Sequence, residues 1–189
     1  MRYMLVFLSF ICIFFTGCNK KSTNEACIPD WLPTPSDDED ALIFRLSSDL
    51  IAEPKNQAEK DQNAIVNYAI DKLLDVKATR TGLYYQILAE GSGKQIAWGD
   101  WISVHYRGYF LNGREFDSSY KKKKPLEFYV GNMIDGWNEG LQLLKKGGKA
   151  LFIVPSTLAY GEEGLKLPNG KVIVPPDSVL VFELEVLEK

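Results

Sequence analysis

The chain has 189 residues, 46% hydrophobic and 25% charged, with a formal net charge of -3 at pH 7. That composition excludes wholesale disorder, and the length allows one ordinary domain with extensions but not two large ones. The slight acidity gives no basis for nucleic-acid binding, and the lysine run Lys121–Lys124 reads as a solvated loop, because clustered like charges repel and seek water.

The N-terminus reads as an export signal. Arg2 supplies a positive start, and Met4 to Phe15 is apolar apart from Ser9. The run is too short to span a hydrocarbon core of about 30 Å as a helix, and it fits a secretory core segment. Phe15-Thr16-Gly17-Cys18 then resembles the bacterial lipobox, with Phe15 where Leu is usual. The expectation is that residues 1–17 are removed and that Cys18 is acylated. The protein would then be lipid-anchored to a bacterial membrane and face the periplasm, with inner or outer membrane left open. Cleavage would also remove Cys12 and leave Cys27 unpaired in a tether, so no internal disulfide is expected.

Residues 18–40 read as that tether, from Pro29, Pro33, Pro35 and the acidic run Asp37–Asp40. Residues 41–78 read as a helical extension. Between Ala58 and Val76, apolar residues at Ile65, Tyr68, Ala69, Leu73 and Val76 share one helical face, while Asp61 and other polar residues take the remainder. A shorter helical piece fits Ala41–Ala52. A spacer packed on the main domain is the favoured reading of this region, ahead of a dimerisation or client-holding arm.

After Thr81-Gly82 the periodicity changes to two. Strands are expected at Leu83–Leu88, Trp101–Phe110, Leu126–Val130 and Gly148–Val154, with Asn112-Gly113 as a hairpin dipeptide. In the last strand Leu180, Phe182, Leu184 and Val186 alternate with Val181, Glu183 and Glu185, which predicts an apolar inner face and a largely polar outer one. One short helix fits Gly136–Leu144. The fold class is α+β, a twisted antiparallel sheet wrapped on one short helix and preceded by an N-terminal helix.

Much catalytic chemistry is excluded. His105 is the only histidine, so no histidine metal cluster or conventional triad can form, and a structural role is expected for it. Gly91-Ser92-Gly93-Lys94 fails as a phosphate loop, because Leu88 stands where the first glycine belongs and Gln95 where a hydroxyl residue belongs. No cofactor and no metal are expected.

What remains is a set of aromatic residues in turn-rich contexts. Val104-His105-Tyr106-Arg107-Gly108 is followed by Asn112 to Ser119, including Phe116-Asp117-Ser118-Ser119. Gly131-Asn132-Met133-Ile134-Asp135-Gly136-Trp137-Asn138-Glu139-Gly140, Ala159-Tyr160-Gly161 and Val174 to Glu183 complete the set. In order and spacing these closely resemble the FKBP family of prolyl isomerases, from about Thr81 to Lys189.

The resemblance implies an isomerase domain over 79–189 that acts on X-Pro bonds of exported or envelope proteins. Trp137 would floor an apolar pocket walled by Tyr106, Phe116, Ile134, Val174 and Phe182, with Leu126 and Met133 also against substrate. The Ile134 amide and Tyr160 hydroxyl would bond the peptide's carbonyls, and Asp117 would sit at the pocket edge. The implied partners are proline-containing polypeptides, a macrolide ligand, and the membrane through the anchor. The alternative is a non-catalytic envelope assembly or chaperone module using the same groove. This chain departs from the family pattern at Leu126, where Phe is frequent, and at Lys122, where an arginine commonly pairs with the aspartate. A lengthened flap over residues 164–174 is a further departure.

Overall fold

The computed structural model describes residues 38–188. The expected signal segment, Cys18, Cys27 and most of the expected tether lie outside them. No described helix is long and apolar enough to cross a membrane.

Two helices come first, α1 (Glu39–Ser47) and α2 (Gln57–Asp71). The acidic run expected in the tether instead starts α1. Asp38 accepts a hydrogen bond from the Ala41 amide at 3.1 Å, and Glu39 and Asp40 occupy the first turn. Carboxylates there satisfy orphan amides and complement the helix dipole, which explains why the run is structured. Asn56 caps α2 in the same way, accepting from the Glu59 amide at 3.0 Å. Helix α2 stops at Asp71, short of Val76, and Leu73 turns left-handed at φ 52°. Its buried face is Asp61, Ile65, Val66 and Ala69. Asp61 is therefore a correction, since its expected place was a polar, outward face.

The strands are β1 (Lys77–Ala78), β2 (Tyr84–Ala89), β3 (Trp101–Phe110), β4 (Glu115–Ser118) and β5 (Leu126–Tyr129). Helix α3 (Asp135–Leu141) follows, then β6 (Lys149–Val154), a 3-10 turn (Ser156–Leu158), β7 (Leu165–Lys166), β8 (Val172–Val174) and β9 (Leu180–Val186). The main sheet runs β1-β2-β6-β9-β3-β4, with β5 beside the other half of β3, and every pairing in it is antiparallel. β7 and β8 form a separate hairpin within the expected flap.

Alternation along the strands sorts the apolar residues into two cores. Val104, Tyr106, Phe152, Val154, Phe182 and Leu184 face α3 and pack with Trp137 and Leu141. The residues between them, Tyr109, Leu151, Ile153 and Val181, face the other way and meet Leu42, Leu46, Ile65, Val66 and Ala69 of the two N-terminal helices. The outer face of β9 is thus not the solvated polar surface that its sequence predicts. Val181 and Glu183 are both buried there, because the N-terminal helices cover this side of the sheet. Burying apolar area contributes about 25 cal/mol per Å², so this cover is an integral layer of the fold.

Helix α3 lies close on the sheet because its contact stripe is glycine. A Cβ added to Gly136 would lie 2.4 Å from Val154 Cγ1, and one added to Gly140 would lie 2.6 Å from Phe152 Cε2. These close approaches bring Trp137, between the two glycines, down among the strand aromatics.

Candidate active site

Strand β3 delivers Tyr106 to the inner face, and β9 delivers Phe182 to the same face. Trp137 stands between them, its ring centroid 5.2 Å from each, with interplanar angles of 81° and 83°. Edge-on packing of this kind places positive ring edges against negative faces. Phe116 of β4 meets Phe182 edge-on at 5.7 Å. Its approach depends on Gly108 beneath it, where a Cβ would lie 2.8 Å from Phe116 Cζ and 2.9 Å from Phe182 Cε1.

These rings line a solvent-open cavity of about 60 Å³ together with Asp117, Leu126, Met133, Ile134 and Tyr160. The structure brings together nine of the residues the sequence points to, all except Val174 and the undescribed Cys18. Val174 is 1% exposed and belongs to the core rather than to the cavity lining. Trp137 is 2% exposed and makes the floor, and its indole N–H has no hydrogen-bond partner among the described residues.

Polar groups gather on one side. The Tyr106 hydroxyl donates to Asp117 Oδ2 at 2.6 Å, and Lys122 Nζ lies 2.5 Å from Asp117 Oδ1. The lysine run is exposed, as expected of a solvated loop, yet Lys121 and Lys122 also neutralise Glu115 and Asp117 of β4. Burial pushes the Asp117 carboxyl up, but Lys122 and the Tyr106 hydroxyl outweigh it and hold the group below its ordinary value. Burial and then the neighbouring Asp117 push both Tyr106 and Tyr160 up, so both hydroxyls are neutral donors near pH 7.

Besides the Trp137 indole N–H at the floor, two donors at the rim are uncommitted. The Ile134 amide, at the N-cap of α3, and the Tyr160 hydroxyl make no hydrogen bond with any described residue. Asn138 holds the loop that carries the first. Its Oδ1 accepts from the Gly131 and Met133 amides at 2.9 and 3.2 Å, and its Nδ2 donates to the Met133 carbonyl at 2.6 Å. Sequence reasoning assigned Asn138 no role. The available signal was a polar residue directly beside the floor tryptophan on an apolar helix face. Ser119 was also missed. Its Oγ accepts from the Tyr106 amide at 2.8 Å and donates to the Tyr106 carbonyl at 3.2 Å, fixing the backbone under the ring. His105 sits beside this clamp, 3.0 Å from Ser119 Oγ and stacked on Tyr120 at 4.9 Å, in a structural setting.

A larger concavity of about 460 Å³ lies between the N-terminal helices and β1. Its lining includes Asp49, Glu59, Gln62, Arg80 and Thr157, with Tyr84 as its one aromatic. A groove so polar retains water and cannot desolvate an amide, so the smaller aromatic cup is the candidate site.

The family model of FKBP-type peptidyl-prolyl cis-trans isomerases matches residues 93–187. The chain belongs to the FKBP family. The match contains every residue lining the cup and begins after β2, later than the Thr81 start that the sequence motifs point to. A Haemophilus influenzae protein described as a probable FKBP-type peptidyl-prolyl cis-trans isomerase is 40% identical over 149 residues, covering 76% of this chain and 60% of that protein. The chain thus spans less than two thirds of that relative's length. Among solved structures, Escherichia coli FkpA aligns with a TM-score of 0.59 at 35% identity, covering 76% of this chain and 62% of FkpA. AtFKBP13 aligns with a TM-score of 0.56 at 36% identity, covering 61% of this chain and 98% of that one. The last alignment takes in nearly all of that FKBP chain and 61% of this one.

Proposed function

We propose that the chain is a peptidyl-prolyl cis-trans isomerase acting on X-Pro bonds of polypeptide clients. The observation that carries this reading is an aromatic cup with two uncommitted hydrogen-bond donors at its rim. Rotation about a peptide bond faces a barrier of about 18–20 kcal/mol because amide resonance is lost in the twisted state. No covalent bond breaks, so the reaction calls for no nucleophile and no proton shuttle. An apolar cup penalises the more polar planar amide relative to the twisted one. Donors fixed in advance, the Ile134 amide and the Tyr160 hydroxyl, hold the peptide's carbonyls while the bond turns. A thousandfold acceleration needs only about 4 kcal/mol of such differential binding, a magnitude that desolvation and two aimed donors supply.

A protease-coupled cis-to-trans assay on proline peptides tests the reading. Turnover by the wild-type chain is expected, with losses of about tenfold or more in kcat/KM for Tyr160→Phe and Asp117→Leu in folded protein. A wild-type chain without turnover would leave the non-catalytic groove as the better account. Unchanged rates in both variants would remove the site assignment while sparing the family.

The finer reading is that the clients are exported proteins met at a bacterial envelope. It rests on the signal-like run Met4–Phe15 and on Cys18 in its lipobox context. Radiolabelled fatty acid should enter the wild-type chain and not Cys18→Ala, with the protein facing the periplasm. The cup would also accept a macrolide, which should displace a bound proline peptide competitively.

A further inference from the structure

We propose that Asp61, on the N-terminal helix α2, is a positioning residue for the catalytic face, acting through Ser156 on the turn that carries Tyr160. This rests on the isomerase reading above. Asp61 is 2% exposed, and its Oδ2 accepts from both the Ser156 amide at 2.7 Å and the Ser156 hydroxyl at 2.6 Å. Its Oδ1 accepts from Gln57 Nε2 at 2.7 Å. A buried carboxylate that spends one oxygen wholly on one residue 95 positions away fixes that residue's place and orientation.

Ser156 is 1% exposed and opens the 3-10 turn at the end of β6. Its carbonyl accepts from the Ala159 amide at 3.0 Å and the Gly161 amide at 2.9 Å, the residues on either side of Tyr160. Gly161 has φ 56°, so the chain reverses sharply at that point, and the Tyr160 carbonyl accepts from Gly164 at 3.0 Å. The path from Asp61 to Ser156 to the Tyr160 turn is therefore unbroken. It makes the N-terminal extension part of the scaffold of the site, a role its sequence pattern does not suggest.

A double-mutant cycle tests it, read as kcat/KM per folded molecule. Asp61→Ala should lower activity by about tenfold in the wild-type background and by less than about twofold in Tyr160→Phe, because the positioned hydroxyl is already gone. Asp61→Asn, which keeps an acceptor for Ser156, should restore activity to within about twofold. If Asp61→Ala folds poorly, Ser156→Ala, which removes only the hydroxyl bond, should give a smaller loss with the same dependence on Tyr160. Equal losses in both backgrounds, or no loss from either substitution, would overturn the proposal. Wild-type turnover in the same assay reports separately on the isomerase reading.

A separate observation supports a second inference, a subsite beside the cup that takes an acidic residue of the client. A groove of about 380 Å³ shares Tyr106 and Leu126 with the cup and continues along Trp101, Lys122, Lys124 and Pro125. Lys122 is held by Asp117, whereas Lys124 makes no ion pair with any described residue. Glu127 is the one acid in the lining. A peptide leaving the cup along this groove meets an aromatic wall and an available ammonium, a combination that favours a carboxylate.

Fluorescence anisotropy on proline peptides differing only in Glu or Lys beside the proline tests this in the full chain, with or without turnover. Glu peptides should bind at least about threefold more tightly than Lys peptides at low salt, with the difference shrinking at high salt. Lys124→Glu should abolish the preference, and Glu127→Gln should increase it. Equal binding of the two peptides, or a preference that survives Lys124→Glu, would reject the subsite.

Discussion

The Tyr106 hydroxyl and the Asp117 carboxylate meet at 2.6 Å on the edge of the cup, and Lys122 reaches both, lying 2.5 Å from Asp117 Oδ1 and 3.3 Å from the Tyr106 oxygen. The carboxylate's charge is balanced from outside the cup, so the interior stays apolar. Because the Asp117 carboxyl is held below its ordinary value, its native contacts are present above the unfolded pKa. They are lost only as pH falls through the lower folded value. Lys122→Met removes one of the groups holding it down, so the acid limb of the activity profile should move to higher pH. A pH profile of kcat/KM for the two proteins, compared between pH 3 and 7, measures this. Coincident acid limbs would mean that Lys122 does not set the ionisation of Asp117.

Asn138 makes three hydrogen bonds to the 131–133 segment. Asn138→Ala would leave two amides and a carbonyl of that loop without these partners, at a cost of about 1–3 kcal/mol for each buried group left unsatisfied. The loop carries the Ile134 amide that is proposed to grip substrate, so the variant should lose affinity as well as stability. Peptide binding by the folded variant should weaken by at least about fivefold. Unaltered binding would show that the loop holds its shape without Asn138.

The inner half of this molecule was legible from sequence, and the outer half much less so. Trp101–Phe110 and Leu180–Val186 were readable to the residue because their alternation is long and regular. The motifs around Tyr106, Asp117, Trp137 and Tyr160 were readable through their resemblance to the FKBP family, since any one of these aromatics alone reads as ordinary core. Asp61 and Glu183 were misplaced for one shared reason. A charged residue in an alternating or helical pattern reads as solvent-facing, and only the tertiary cover, α2 across the sheet, buries both. β7 and β8, of two and three residues, carried too little periodicity to be read.

Glu183 is the second buried acid among the described residues, 2% exposed, with Arg107 Nη1 at 3.5 Å and no hydrogen-bond partner for Oε2 among those residues. Burial pushes its carboxyl up, against the pull of Arg107 and Tyr109. A raised folded pKa means that its favourable contribution is full below the unfolded value of about 4.3. That contribution is lost as pH rises through the folded value. Glu183→Gln cannot ionise and should flatten this part of the profile. Urea midpoints from pH 4 to 8 for the two proteins should differ in slope, with the wild type falling more steeply. Parallel profiles would place the pH dependence elsewhere.

Gly140 offers the sharpest test of how α3 is seated. On an exposed helix, Gly→Ala stabilises by about 0.8–1 kcal/mol. At this position the new methyl carbon would start 2.6 Å from Phe152 Cε2, 2.7 Å from Cζ and 3.0 Å from Cδ2. Phe152 is fully buried, in the middle of β6, so its ring cannot swing into solvent. Forcing a methylene into a packed core costs about 1–3 kcal/mol, which outweighs the helix gain. Gly140→Ala should therefore lower Tm by several degrees, at about 2–4 °C per kcal/mol for a domain of this size. The strain should also lift α3 from the sheet and shift Trp137 against Tyr106 and Phe182, weakening peptide binding in the molecules that remain folded. Thermal melts and Trp137 fluorescence, the latter read in a Trp98→Phe, Trp101→Phe, Trp31→Phe background, report both effects. A Tm raised by the substitution would show that the helix has room to move, and that glycine is not what seats the floor of the cup.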